Sequence, residues 1–292
     1  MLVIVGILVV IGSVLGGYLM EGGALGVLIQ PAELIIIGGA AVGSLLISTS
    51  PVVVKALISQ LTGLFGTGLT RDDFGDLLGL LFKVFRTAQQ NGIMALESNF
   101  DKPEESTILK AHPKFLARHN SVAFLSDSIK VIIVGGISPH DLADLMAEDL
   151  DVHHEDAKAP AGTLTRVGDA LPGLGIVAAV LGIVITMGAI DGPPSEIGHK
   201  VGAALVGTFL GILLSYGFLQ PLSASMEARV HDDGRYEQCI KAGLLATYKG
   251  LPPALAIEFA RRVLPHHVRP SFEETEQICK ATRDGGAAAA AA

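Results

Sequence analysis

Four long stretches of the sequence contain no lysine, arginine, aspartate or glutamate, in a chain that also lacks tryptophan. The uncharged stretches are residues 1–20, 34–54, 170–190 and 201–226. A bilayer core takes about 20 apolar residues of helix, and backbone polar groups in lipid must be satisfied within the segment. The stretches show no period-2 alternation of the kind found in barrel strands. The absence of charge over these lengths therefore predicts four transmembrane helices.

Other absences exclude several classes of protein. The chain has 21 basic against 29 acidic residues and no basic stripe, which argues against nucleic acid as a partner. The two cysteines, Cys239 and Cys279, lie far apart in the sequence and form neither a disulfide framework nor a metal-ligand pattern. No nucleophile motif, phosphate loop or dinucleotide fingerprint is present. We therefore expect no enzyme, no bound metal and no cofactor.

The distribution of positive charge predicts the orientation in the membrane. Residues 55–169 contain eleven Lys and Arg and the segment after 226 contains nine, whereas the connectors 21–33 and 191–200 share only Lys200. Basic segments remain on the cytoplasmic side of the membrane. Both termini are then expected in the cytoplasm.

The pattern predicts an all-α, polytopic membrane protein with four transmembrane helices and a helical cytoplasmic domain. Apolar residues recur at helical spacing over 74–88 and 115–133, and Ser138-Pro139 has the features of a helix start. Helices are also expected over 223–230, 235–248 and 254–263, and their apolar faces can be buried only against one another. The predicted segments are a first transmembrane hairpin at 1–54, a cytoplasmic helical domain at 55–169, a second hairpin at 170–226, a cytoplasmic helical tail at 227–284 and a disordered, low-complexity tail at 285–292.

Two glycine-containing runs occupy the last two spans. They are Gly-Ile-Val-Ala-Ala-Val-Leu-Gly at 175–182 and Val-Gly-Thr-Phe-Leu-Gly-Ile-Leu at 206–213, with Pro172 before the first and Pro221 after the second. The loop also contains Leu96-Glu97-Ser98 ahead of an acidic stretch with a proline. Together with the four-helix layout, these features resemble the flagellar motor stator subunit of the MotA family over nearly the whole chain.

The resemblance implies an assembly in the lipid bilayer of the bacterial inner membrane. Five copies of such a subunit surround a dimer of a MotB-type, single-span partner, and ion flow at their interface drives a rotor switch protein of the FliG type. In this family the carboxylate that takes the ion belongs to the partner. None of the four uncharged stretches contains an Asp, Glu, Lys, Arg or His, so we expect the chain to need that partner in order to conduct.

The resemblance also implies roles for four residues of the last two spans. Pro172 and Pro221 match prolines needed for torque generation, although taken alone each reads as an ordinary boundary proline. Thr208 matches a residue that faces the carboxylate of the partner; without the family, a hydrogen bond to its own backbone is the favoured interpretation. Thr186 stands at a position that varies in the family. Sodium-driven relatives show paired threonines where this chain has Gly207-Thr208, which favours protons.

The rotor-facing residues match the family only in part. Glu97 matches the family's glutamate, but Gln89 occupies the position of its arginine, and Arg86 lies about one helical turn earlier. The alternative is a solvated helix face, since exposed ion pairs contribute only about 0–1 kcal/mol. A related energising subunit of the ExbB/TolQ type is the nearest competing function, but those proteins usually have three spans and an N-terminus outside the cytoplasm. A self-sufficient transporter should show polar helices at mid-membrane, and a scaffold protein would need neither Thr208 nor the two prolines.

Overall fold

The structure is a computed structural model that describes residues 2–188 and 190–290, with side chains as far as Arg283. The part of the chain so described is helical and contains no β-strand. In chain order the α-helices are α1 (Leu2–Met20), α2 (Leu25–Leu28), α3 (Pro31–Ser48), α4 (Pro51–Gly63), α5 (Arg71–Asn91), α6 (Glu97–Asp101), α7 (Pro113–Leu116), α8 (His119–Val134), α9 (Pro139–Met187), α10 (Pro194–Ile212), α11 (Gln220–Tyr248), α12 (Pro253–Arg262) and α13 (Phe272–Ala290). A π-helical segment, Leu213–Leu219, joins α10 to α11.

The chain forms two compact units. The membrane unit combines Met1–Thr67 with Asp156–Arg229, and the helical unit combines Gly68–Glu155 with Val230–Ala292. Residues 55–67 and 156–169, which we assigned to the cytoplasmic segment, thus pack with the two hairpins. Residues 285–290 of the tail predicted at 285–292 continue α13, and the predicted disorder of the tail stays a prediction.

Four helical segments are long and apolar enough to cross a bilayer, as the charge-free stretches predict. They are Leu2–Met20, Leu25–Ser48, Pro139–Met187 and Pro194–Tyr248. The second span differs from the predicted 34–54 at both ends. Its helix stops at Ser48 because Thr49 is extended and Ser50-Pro51 starts α4, with the Ser50 hydroxyl accepting a bond from the Val53 amide at 3.5 Å.

The expectation that the second span contains no Asp, Glu, Lys, Arg or His is wrong, because the span includes Glu33. This residue lies in the first turn of α3, inside the second span, and its side chain is buried. We placed the boundary of the span at the charged residue itself. Helix α3 starts two residues earlier, because Pro31 has the backbone geometry preferred at a first helical position.

The last two spans are longer than their uncharged stretches. Helix α9 is continuous over 49 residues and contains Pro160 and Pro172 in its interior. Its predicted cap is confirmed, since the Ser138 hydroxyl accepts a bond from the Asp141 amide at 3.1 Å. The fourth span continues past Pro221 as expected, and the predicted helices over 223–230 and 235–248 are both parts of α11.

The helical unit has one apolar core, which confirms that its amphipathic helices bury their faces against one another. Helix α5 starts with a capping box in which Thr70 and Asp73 bond each other's backbone amides. Its residue Phe74 packs against Tyr236 of α11, with ring centroids 5.7 Å apart. Each large side chain buried in this way contributes about 1.5–3 kcal/mol. Of the apolar residues predicted from helical spacing, Ala88, Leu116 and Ile133 are only partly buried against this core. The buried ones are Phe74, Leu77, Leu78, Leu81, Val84, Phe85, Phe115, Val122, Leu125, Ile129 and Ile132.

Candidate functional site

In the membrane unit, α9 and α10 meet through two glycines, Gly175 and Gly211, which we call the glycine crossing. A Cβ on Gly175 would lie 2.8 Å from the carbonyl oxygen of Gly207, and one on Gly211 would lie 2.6 Å from that of Leu171. Both distances are shorter than any van der Waals contact, so the helices approach this closely only because side chains are absent. The sequence reveals the small residues of these spans, and the structure shows which of them touch.

Thr208 lies at the glycine crossing, and its hydroxyl is left available. The Cα of Thr208 would be 3.3 Å from a Cβ on Gly175. Within the described residues the half-buried side chain of Thr208 makes no hydrogen bond, although a bond to its own helix was the favoured interpretation of the sequence alone. Thr186 makes that bond instead: it is fully buried, and its hydroxyl donates to the Gly182 carbonyl at 2.8 Å. Among the described residues the Thr208 hydroxyl therefore has no hydrogen-bond partner, whereas that of Thr186 is used by its own helix.

Pro172 lies inside α9, next to the Leu171 carbonyl that approaches Gly211. A proline has no amide hydrogen, so the carbonyl of Gly168 loses its intrahelical partner at this turn. Close by, Asp169 accepts a hydrogen bond from the Gln220 side chain at 2.6 Å. Pro172 therefore stands between the glycine crossing and a polar link from α9 to the fourth span.

Pro221 directly follows Gln220 and the π-helical segment Leu213–Leu219. Because Pro221 cannot donate to the carbonyl one turn earlier, the regular ladder is interrupted where the π-helix ends. Two residues further on, the Ser223 hydroxyl lies 2.7 Å from that of Thr165 and donates to the Ala161 carbonyl at 2.8 Å. The fourth span thus changes its backbone geometry between the glycine crossing and these polar links, a feature that sequence reasoning missed.

Glu33 is the other residue of the membrane unit that sequence reasoning missed. Its carboxylate packs against small residues of both α9 and α10, since a Cβ on Gly207 would lie 2.5 Å from Oε2 and one on Gly182 would lie 3.6 Å from Oε1. Gly207 is the residue before Thr208, so the Glu33 carboxylate of the second span lies against the position of the fourth span that precedes Thr208. An early-turn glutamate beside small residues can be found by sequence once the helix start is placed at Pro31.

The predicted rotor-facing residues lie in the helical unit. Arg86 is half-buried on α5, where its guanidinium donates to the Arg283 carbonyl at 3.5 Å. Gln89, near the end of the same helix, and Glu97, the first residue of α6, are exposed. A polar surface therefore exists at these positions, and Arg86 is turned toward the last helix of the chain.

Comparison with known proteins shows which family the chain belongs to. Residues 4–92 match the model described as Motility protein A N-terminal, and residues 111–236 match the MotA/TolQ/ExbB proton channel family. Motility protein A of Escherichia coli K12 is 40% identical over 285 residues, which cover 97% of each chain. The chain belongs to the motility protein A family. The resemblance seen in the sequence motifs is thereby confirmed.

Two further relatives agree with the assignment to the motility protein A family. Chemotaxis protein LafT of Vibrio parahaemolyticus is 38% identical over 273 residues, covering 93% of this chain and 96% of its own. The structure of the flagellar MotAB stator complex from Bacillus subtilis matches with a TM-score of 0.73 and 22% identity, over 92% of this chain and 98% of that one. At this identity the second match establishes the fold. As a member of a proton channel family with four spans, the protein is a multi-pass protein of the inner membrane.

Proposed function

We propose that the chain is a stator subunit of a bacterial flagellar motor, which forms an ion channel with a MotB-type partner and converts ion-motive force into torque. The observation that carries this proposal is the 40% identity to a motility protein along 97% of the chain. The glycine crossing supports it, since it leaves the Thr208 hydroxyl available beside two closely packed helices. A fold shared with a flagellar stator complex is consistent with the same role.

The surface of the membrane unit supports an assembly of several copies around the partner. None of the residues of α1 is buried within the chain, although the helix is apolar along its whole length. The exposed faces of such a helix need lipid or neighbouring protein. We assign one face of the spans to lipid, one to adjacent copies in a pentamer, and the Thr208 side to a dimer of the single-span partner. Both termini would lie in the cytoplasm.

The proposed ion is the proton. A sodium ion requires several oxygen ligands in a fixed shell, and the fourth span offers one threonine hydroxyl at Gly207-Thr208, where sodium-driven relatives carry paired threonines. A proton needs only the partner's carboxylate and water. The Thr208 hydroxyl would hold a water or the carboxylate itself in position.

The proposed mechanism links the ion to movement of helices. Gain and loss of a proton on the partner's carboxylate change how it packs against α9 and α10 at the glycine crossing. Pro172 and the Pro221 region, where helical hydrogen bonds are missing, absorb the resulting change in direction. The helical unit then pushes a rotor switch protein of the FliG type through the surface that includes Arg86, Gln89 and Glu97, with Arg86 supplying the positive charge that Gln89 lacks.

A complementation experiment tests the proposal. A strain that lacks its own stator genes is given this gene with that of a MotB-type partner, and swimming is scored in media with and without sodium. We expect swimming at equal speed in both media. Swimming only with sodium would contradict the choice of ion. The family model also covers ExbB- and TolQ-type proteins, and rescue of an envelope-energising mutant in place of a non-motile one would favour that function instead.

A further inference from the structure

Glu33 is an unusual residue for a membrane-spanning helix. Its side chain is only 7% exposed, and its Oε2 atom has no hydrogen-bond partner. Burying a carboxylate without a partner is costly in a protein interior and more so at membrane depth. A residue of this kind is generally found where its proton or its charge is used.

The pocket around Glu33 is built by small residues from both neighbouring spans. A Cβ on Gly207 would lie 2.5 Å from Oε2, so any side chain there would displace the carboxylate. On the other side, a Cβ on Gly182 would lie 2.7 Å from the Cβ of Ala204 and 3.6 Å from Oε1. Gly182, Ala204 and Gly207 thus leave a space shaped for one carboxylate, and they supply no side-chain donor to neutralise it.

The charged groups nearest in the sequence do not pair with Glu33. On α10, Lys200 lies one turn before Ala204 on the same face, but it forms an ion pair with Glu196 at 3.0 Å. His199 is exposed on the neighbouring face, and α9 carries no titratable residue between Asp169 and its end at Met187. In the connector before α3, Glu21 is exposed. Among the described residues no cation pairs with Glu33.

We propose that Glu33 is a proton-binding site of the ion pathway, which receives protons from the membrane side bearing the short connectors and delivers them toward Thr208. The inference rests on the proposed stator function and adds a protonatable group of this chain to that of the partner. A proton from water adds to the Glu33 carboxylate, and the resulting acid gives it through water to the partner's carboxylate. Glu33 then returns to its charged form, so no other reactant is consumed.

The position of Glu33 in the chain supports this route. It lies in the first turn of α3, at the connector end of the second span, whereas Pro172 and Pro221 lie toward the other end of the third and fourth spans. Its Oε2 contacts Gly207, the residue before Thr208. Glu33 thus contacts the residue of the fourth span that directly precedes Thr208, whose hydroxyl lies at the glycine crossing.

The test compares Glu33→Gln with Glu21→Gln in the complex with the partner. The first change keeps the shape of a buried side chain and removes its proton chemistry, and the second removes an exposed carboxylate twelve positions earlier. Complexes are quantified by co-purification with the partner. Swimming speed and proton influx, followed with a pH-sensitive fluorescent protein in the cytoplasm, are then measured over a range of external pH.

We expect Glu33→Gln to lower influx per complex by about tenfold or more, since a positioned acid–base group contributes on the order of a hundredfold and water can replace part of it. The loss should grow as the external pH rises, because scarce protons make a binding site more important. Glu21→Gln should match the wild type at every pH.

Wild-type influx per complex in Glu33→Gln at all pH values would overturn the proposal. Fewer complexes with unchanged influx per complex would also overturn it, because Glu33 would then serve packing alone. A wild-type complex that neither drives swimming nor admits protons would refute the stator function and, with it, this inference. The three results are distinguished by the wild-type control and by the co-purified amount.

Discussion

At the scale of single residues, Thr208 and Thr186 show how one residue type can have two different roles in the same membrane unit. The Thr186 hydroxyl is used by its own helix, through a 2.8 Å bond to the Gly182 carbonyl, whereas the Thr208 hydroxyl is not. Valine has the shape of threonine without its hydroxyl. We expect Thr208→Val to abolish swimming and Thr186→Val to reduce its speed little, in a swimming assay with matched expression. Equal loss in both variants would contradict an ion-pathway role specific to Thr208.

The glycine crossing makes a second prediction at the residue scale. In Gly211→Ala the new methyl would lie 2.6 Å from the Leu171 carbonyl, so the helices must separate. Overpacking of this kind costs about 1–3 kcal/mol, and we expect a lower Tm of the purified complex together with lost swimming. Gly202→Ala on the same helix is the control, because its Cβ would meet nothing within 4 Å. A Tm for Gly211→Ala equal to that of the control would show that the crossing is less tight than described.

At the scale of helices, we expect Pro172 and Pro221 to be required for motility and Pro160 not to be. We expect Pro172→Ala and Pro221→Ala to abolish swimming while the complex still assembles in the membrane, because restored helical hydrogen bonds stiffen the two bending points. Pro160→Ala restores a bond in the same α9 but lies far from the glycine crossing, and it should swim. Normal swimming by both the Pro172 and Pro221 variants would refute the proposed change of helix direction at these prolines.

An ion-pair cluster on helix α12 leads to a prediction about how stability depends on pH. Hydrogen bonds from Arg261 and then Arg262 lower the pKa of Glu258 to about 2, against partial burial that acts in the opposite direction. A carboxyl group whose pKa is lowered by folding stabilises the fold above its unfolded pKa of about 4.3, and this contribution is lost as the pH falls toward 2.

Glu258→Gln should therefore lower the free energy of unfolding by about 2 kcal/mol at neutral pH, after allowance for the exposed Arg262. The difference in Tm between variant and wild type, measured in detergent solution, should shrink as the pH is lowered from about 5 to 2. A difference that is constant over this range would show that Glu258 acts by shape and not by charge.

At the scale of the whole molecule, topology is the property that the charge distribution predicts most directly. Reporters fused at the N-terminus, in the connector 191–200 and at the C-terminus should report cytoplasm, outside and cytoplasm, because the connectors hold one of the 21 basic residues. An N-terminal reporter on the outside would favour the arrangement of the three-span energising subunits. The assay is independent of motility, so it tests the membrane arrangement alone.

Much of the fold could be predicted because its signals are local. Charge-free stretches marked the four spans, helical spacing marked α5, α8 and α12, and Ser138-Pro139 marked the start of α9. The end of the second span was misplaced because residues 49–54 are uncharged in either arrangement, and only backbone geometry distinguishes a continuing helix from the restart at Pro51. Helix α13 lies largely within the helical tail predicted at 227–284 but was not assigned as a separate helix, although its Ile278 packs against Gly75 and Gly79 of α5.

The sequence by itself determined that this protein crosses a membrane four times and, through its proline- and glycine-containing runs, which family it resembles. The spans can be recognised in the sequence because a helix that crosses lipid must be long, apolar and free of exposed charge. The tertiary structure decided that Gly175 and Gly211 touch, that the Thr208 hydroxyl is available and that Glu33 is buried between two other spans. These properties depend on contacts between residues far apart in the chain. In a closely packed interior, the presence or absence of one methyl group decides which atoms touch.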